Sequence, residues 1–157
     1  MSRNPANSNE ASGDLCSLGS VRRGLREMVT PHATPESVGE IELVAHEIVM
    51  NALLHTPGEV YAVIVICESE GMRRLRFWVE DCSLHRPSLR LIELWETRGR
   101  GLWIVDHFVD RWGVEIAPNG KSVWAEFSLD GYMKSDPPFN LLESGAEILR
   151  GVRWRLR

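Results

Sequence analysis

Between Glu40 and His55 the apolar residues fall at Ile41, Val44, Ala45, Ile48 and Ala52. Spacing of three and four predicts a helix with one stripe turned to a core. Thr34 is placed to cap it, with Pro35 at the first helical position and Glu36 and Glu40 near the start; Thr56-Pro57-Gly58 ends it. Val21, Leu25 and Met28 predict a shorter helix over residues 20–29, broken by the stretch from Pro31 to Pro35. The period then changes to two. Residues 59–68 are rich in β-branched side chains and read as a strand. Residues 72–81 set Leu75, Phe77 and Val79 against Arg74, Arg76, Trp78 and Glu80, the pattern of a half-buried antiparallel partner. Residues 82–98 have no steady period and read as a loop, with one helical turn over 89–95. Leu102, Val105 and Val109 predict a helix over 101–110, followed by a strand over 112–117 and a returning strand over 122–129. Pro118-Asn119-Gly120 is the hairpin turn between those strands.

The ends are less regular. Residues 1–14 are rich in Asn, Ser, Ala and Gly and read as a disordered tail. Residues 131–138 read as a linker. Residues 140–157 read as an amphipathic helix that turns basic at Arg150, Arg153, Arg155 and Arg157, where cations suit the helix dipole. The expected organisation is a tail (1–14), one domain (15–130), and a linker with a basic C-terminal helix (131–157). The fold class is α+β, with helices packed on one face of a mainly antiparallel sheet.

Composition narrows the function without choosing it. The formal net charge is −4, so no overall basic field exists to drive nucleic-acid binding. All basic residues except Lys121 and Lys134 are arginine, a skew given no mechanistic weight here. Cys16, Cys67 and Cys82 show no zinc spacing, and Cys67, inside an apolar run, reads as a buried thiol. No run is apolar enough to cross a bilayer and no signal peptide is present, so a cytoplasmic protein is expected. Trp78, Trp103, Trp112 and Trp124 read as core aromatics.

Candidate chemistry begins on the long helix. Glu47 and Asn51 are four residues apart and share a face at the edge of its apolar stripe. The amide oxygen of Asn51 can coordinate a hard cation, and the carboxylate of Glu47 can orient or deprotonate a nucleophile. His55 continues the same side one turn on. An ordinary exposed Glu/Asn pair would look the same.

Four ordered motifs add what that spacing lacks. The first is Glu47-Ile-Val-Met-Asn51-Ala-Leu-Leu-His55, and the second Val79-Glu80-Asp81 at a strand end. Then come Arg98-Gly99-Arg100-Gly101-Leu102 opening a helix, and Gly120-Lys-Ser-Val-Trp-Ala125. Over residues 22–129 the chain thus resembles the GHKL (Bergerat-fold) ATP-binding superfamily. It is most similar to the single-domain anti-sigma factor serine/threonine kinases of actinomycetes. The resemblance implies a two-layer sandwich that binds ATP with Mg²⁺. It implies Glu47 as the catalytic base or orienting carboxylate, Asn51 as the Mg²⁺ ligand and Asp81 as acceptor of the adenine amino hydrogen. Ser122 takes the place of the hydroxyl that supports that Asp. Gly99, Gly101 and the Leu102 amide would cradle phosphates, since glycine lets backbone approach closely and the following helix aims free N–H groups there. Arg98 and Arg100 would pair with phosphate oxygens or stand as solvated loop charges.

The chain departs from the superfamily after Asp81, where Ser83 and His85 replace two glycines of D-x-G-x-G; with Pro87, the run is similar to that of many actinomycete relatives. Ser83 is retained as a nucleotide-contacting position. Two function classes follow from the resemblance. The first is a kinase that phosphorylates a STAS-domain anti-anti-sigma partner and holds a sigma factor when that partner is absent. The second is a catalytically inactive module on the same fold that grips a protein partner with weak or no nucleotide binding. Neither involves direct contact with nucleic acid or membrane, and the family's habit makes a homodimer an expectation.

Overall fold

The structure is a computed structural model and describes residues 15–81, 101–118, 120–130 and 146–157. The expected tail, the 82–98 loop and the linker lie outside the described residues, as do Ser83, Arg98, Gly99 and Arg100.

Helix α1 spans Leu18–Val29 and α2 spans Pro35–His55. Each starts on a hydroxyl cap. Ser17 Oγ accepts from the Ser20 amide at 3.1 Å and Thr34 Oγ1 from the Ser37 amide at 3.2 Å, satisfying N–H groups that lack a helical partner. Pro35 stands at the start of α2, where its fixed φ suits the helix. The helices are locked together by an ion pair. Arg26 of α1 grips Glu42 of α2 with Nε–Oε1 at 2.9 Å and Nη2–Oε2 at 2.5 Å. Glu42 is buried, and the Arg26 guanidinium holds its carboxyl below the ordinary glutamate range. The fork geometry is what allows a carboxylate to be buried between two helices.

Strands β1 (Val60–Ser69) and β2 (Met72–Asp81) form a hairpin. Its two turn residues, Glu70 and Gly71, have φ of 53° and 76°. Two successive positive φ values match the twist of the strands, and glycine carries the second without a Cβ clash. Helix α3 (Gly101–Phe108), β3 (Arg111–Ala117), β4 (Gly120–Ser128) and β5 (Glu147–Leu156) follow. All pairings are antiparallel and the order is β3-β4-β2-β1-β5. The α+β expectation of helices on one face of an antiparallel sheet therefore holds.

One expected element is different. Residues 147–156 are a strand, not the end of a basic helix. They pair with β1 from Val60↔Leu156 to Glu68↔Glu147, with a register shift between Ile66 and Cys67. Trp154 and Leu156 point into the core, while Arg153 and Arg155 face the other side. There Arg155 pairs with Glu59, and Arg153 pairs with Glu80 at 3.0 Å and lies over the Tyr61 ring. Two of the four arginines that suggested a helix end, Arg153 and Arg155, are thus ion-paired on the sheet.

Core side chains come from the helix-bearing face of the sheet: Val60, Ala62, Ile64 and Ile66 of β1, Leu75, Phe77 and Val79 of β2, and Ala125 and Phe127 of β4. β1 is also closed on its other face, where Val63, Val65 and Cys67 are buried. A strand covered on both faces reads as a continuous apolar run, as this one does. Burial pushes the Cys67 thiol up to about 11, as expected of an inert core cysteine. α1 lies on β5 through Gly24. A Cβ built there would meet Trp154 Cζ2 at 2.7 Å. Gly24→Ala is expected to cost about 1–3 kcal/mol, because a buried indole cannot swing away from backbone on an adjacent helix. The check is the urea midpoint, and an unchanged midpoint would show that α1 slides freely over β5.

Candidate functional site

The site is built where α2 ends. Glu47 and Asn51 are both half-buried on α2, and their α-carbons are about 6 Å apart along its axis. Ile48 and Val49, fully buried, fix the rotation of this half of the helix against the sheet. The last helical residue is His55, and the Thr56 amide donates to Ala52 O at 2.9 Å. Thr56 is buried, and its hydroxyl donates to Asp81 Oδ2 at 3.0 Å. This bond ties the end of α2 to the end of β2.

Asp81 lies between two strands. Its register partners are Val60 on β1 and Lys121 on β4. All three share the face on which Val79 and Phe77 are buried, since successive residues alternate and opposite residues share a side. Ser122 is opposite Glu80 and so stands on the far face. Ser122 is therefore not the residue paired with Asp81 across the ladder, and a hydroxyl that does reach Asp81 is that of Thr56. Sequence reasoning assigned Thr56 only to a helix end. Lys121 it left without a role.

α3 begins at Gly101, which is half-buried, and packs on α2 and β3. Its fully buried Val105 anchors it. The Gly101 and Leu102 amides are in its first turn, where no residue four back completes a helical bond. Beyond α3, Asp110 Oδ2 accepts from the Ser128 amide at 2.5 Å. Burial pushes the Asp110 carboxyl above the ordinary aspartate range, and that amide opposes the rise. Trp103 is 62 % exposed and stacks on His107, with ring centroids 4.9 Å apart. Its exposure corrects the core reading of this residue.

The Thr56–Asp81 bond thus joins the end of α2, the helix that carries Glu47 and Asn51, to the end of β2, where Lys121 is the register partner of Asp81, and α3 packs on α2. Among the described residues no group of three or more His, Cys, Asp or Glu side chains is placed to hold a metal ion. Among the same residues no helix is long and apolar enough to cross a membrane.

No curated protein matches the chain. Among solved structures, it is similar to the histidine kinase domain of the blue-light activated histidine kinase EL346 from Erythrobacter litoralis. Identity is 21 %, with 80 % of this chain and 67 % of that one covered and a TM-score of 0.46. A model of the histidine kinase-like ATPase domain matches residues 11–127, most of the chain, from α1 to all but the last residue of β4. The chain belongs to the histidine kinase-like ATPase domain family.

Proposed function

We propose that this chain binds ATP with Mg²⁺ and phosphorylates a serine on a STAS-type anti-anti-sigma protein, in the manner of the anti-sigma factor serine/threonine kinases it resembles. Sequestration of a sigma factor in the absence of that partner belongs to the same reading. The observation that carries it is the joining of α2 to β2. The Thr56–Asp81 bond joins the helix that carries a half-buried carboxylate, Glu47, and a half-buried carboxamide, Asn51, to the strand end that carries Asp81.

The residues suit the roles. Mg²⁺ keeps several waters and takes phosphate oxygens rather than an all-protein cage. One neutral amide oxygen from Asn51 is a sufficient protein ligand for it, so the lack of an acidic cluster among the described residues is no obstacle. Bound Mg²⁺ would supply charge neutralisation on the phosphates. Glu47 is one turn from Asn51, so its carboxylate is placed to accept the proton of an incoming hydroxyl beside them. The Gly101 and Leu102 amides offer N–H groups toward an anion at the start of α3. Asp81 offers its acceptor to the base.

The second reading is the catalytically inactive module. Ser83 and His85 favour it from the sequence, where side chains replace two glycines.

Calorimetric titration with ATP, with Mg²⁺ and with EDTA, tests both. Mg²⁺ is expected to tighten binding in the wild type by roughly tenfold, the worth of one contact with a charged partner. Asn51→Ala is expected to lose that increment and keep its thermal midpoint. Equal affinity in Mg²⁺ and EDTA would remove Asn51 from the metal. Absence of ATP binding under both conditions would leave the module.

A further inference from the structure

Lys121 stands directly across the β2–β4 ladder from Asp81. The pairs that follow, Val79↔Val123 and Phe77↔Ala125, fix which face this is, because Phe77, Val79 and Ala125 are core residues. Opposite residues in an antiparallel pair have Cβ atoms about 4.5–5.5 Å apart. A lysine and a carboxylate so placed are within reach of one common ligand. Both are half-buried. Burial pushes the Lys121 ammonium below the ordinary lysine range, and the Asp81 carboxylate is the charge opposing that fall. From the other side, the Thr56 hydroxyl holds Asp81 Oδ2 and so orients the carboxylate.

We propose that Lys121 and Asp81 act as a joint donor and acceptor for the edge of a purine base, so that the site takes guanine as well as adenine nucleotides. The inference rests on the nucleotide-binding reading above. A carboxylate facing the 6-position of the base accepts from the amino group of adenine, and repels the carbonyl that guanine carries there unless a donor stands beside it. A neighbouring ammonium changes the balance. Adenine gives an amino hydrogen to Asp81 and accepts from Lys121 at its ring nitrogen N1. Guanine gives its N1 hydrogen and an amino hydrogen to Asp81 and accepts from Lys121 at its carbonyl oxygen. Either base then has a donor and an acceptor to match its own. Without the ammonium, adenine loses one contact to a neutral ring nitrogen. Guanine loses the only group that compensates its carbonyl.

The test is titration of the wild type, Lys121→Met and Lys121→Arg with ATP and with GTP, Mg²⁺ present, alongside a thermal melt of each protein. The wild type is expected to bind the two within about tenfold of each other. Lys121→Met keeps an apolar stem and loses the donor; GTP is expected to weaken roughly ten- to hundredfold more than ATP. Lys121→Arg keeps a donor and is expected to retain GTP. A wild-type preference for ATP beyond about a hundredfold, or a ratio unchanged in Lys121→Met, overturns the proposal. Should Lys121→Met not fold, the wild-type ratio and the Arg variant still decide. Binding of ATP alone would end this proposal and leave the nucleotide reading standing. Binding of neither would end both.

Discussion

Glu47→Ala is expected to lower phosphoryl transfer to a STAS-type partner by ~10²–10⁴-fold, the usual contribution of a positioned general base. ATP affinity should stay within about threefold of wild type, because the role proposed for the side chain is toward the incoming hydroxyl and not the base or phosphates. The half-buried position of Glu47 supports this separation. The residue sits at the edge of the stripe fixed by Ile48 and Val44, so truncating it opens no core cavity. The measurement is transfer of labelled γ-phosphate to a panel of STAS-domain proteins, with calorimetry on the same samples. Transfer by wild type and not by Glu47→Ala supports the kinase. Partner binding with no transfer by either protein assigns the chain to the inactive class. Equal transfer by both moves the base elsewhere.

Phe77→Ala is expected to remove about 3–5 kcal/mol of folding stability. Phe77 is fully buried and lies between Ile64 of β1 and Ala125 of β4 in register, on the face that α2 covers. Ala125 is small, so the ring fills space that no neighbour can take up. Domains of this kind hold only about 5–15 kcal/mol in total, so the variant should lose a large share of it. Chemical denaturation reads the effect as a lowered midpoint with unchanged slope. A loss below about 1 kcal/mol would mean that α2 can settle onto the sheet and close the void. Phe77 is also two alternations before Asp81 on the same strand face, so the core that supports the sheet also supports the floor of the site.

Most of the architecture was legible because each element carried a local signal. The Thr34–Pro35 start, the stripe of α2, the alternation of β2 and the continuous apolar run of β1 each have one short-range cause. β5 did not. Its clean alternation covers only Val152, Trp154 and Leu156, and the register shift near Ile66 breaks the period before them. Ile148, Leu149 and Val152 then fit a helical spacing as well as a strand's, and the arginines suited a helix end. The site was legible as motifs and illegible as contacts. The β3–β4 register follows from a short turn, Ala117↔Gly120. The β2–β4 register is set by no turn at all, since residues 82–119, with α3 and β3 among them, intervene. A shift of one residue there exchanges Lys121 with Ser122 on the functional face. Only coordinates could show that Lys121 is beside Asp81, or that Thr56 reaches it.

The place of β5 has a kinetic consequence. Glu59, beside β1, and Arg155, in β5, form an ion pair across a separation of 96 residues. At about 5–20 residues per second, a ribosome takes on the order of 5–20 s to make that interval. During it, β1 can pair with β2 on one side, while its other row of backbone N–H and C=O groups waits for a strand not yet made. That row belongs to the most β-branched segment of the chain, without proline. Such an edge is a template for another chain's strand. In a cell, the yield of this protein is therefore set by a race between the arrival of residues 147–156 and the arrival of a neighbour.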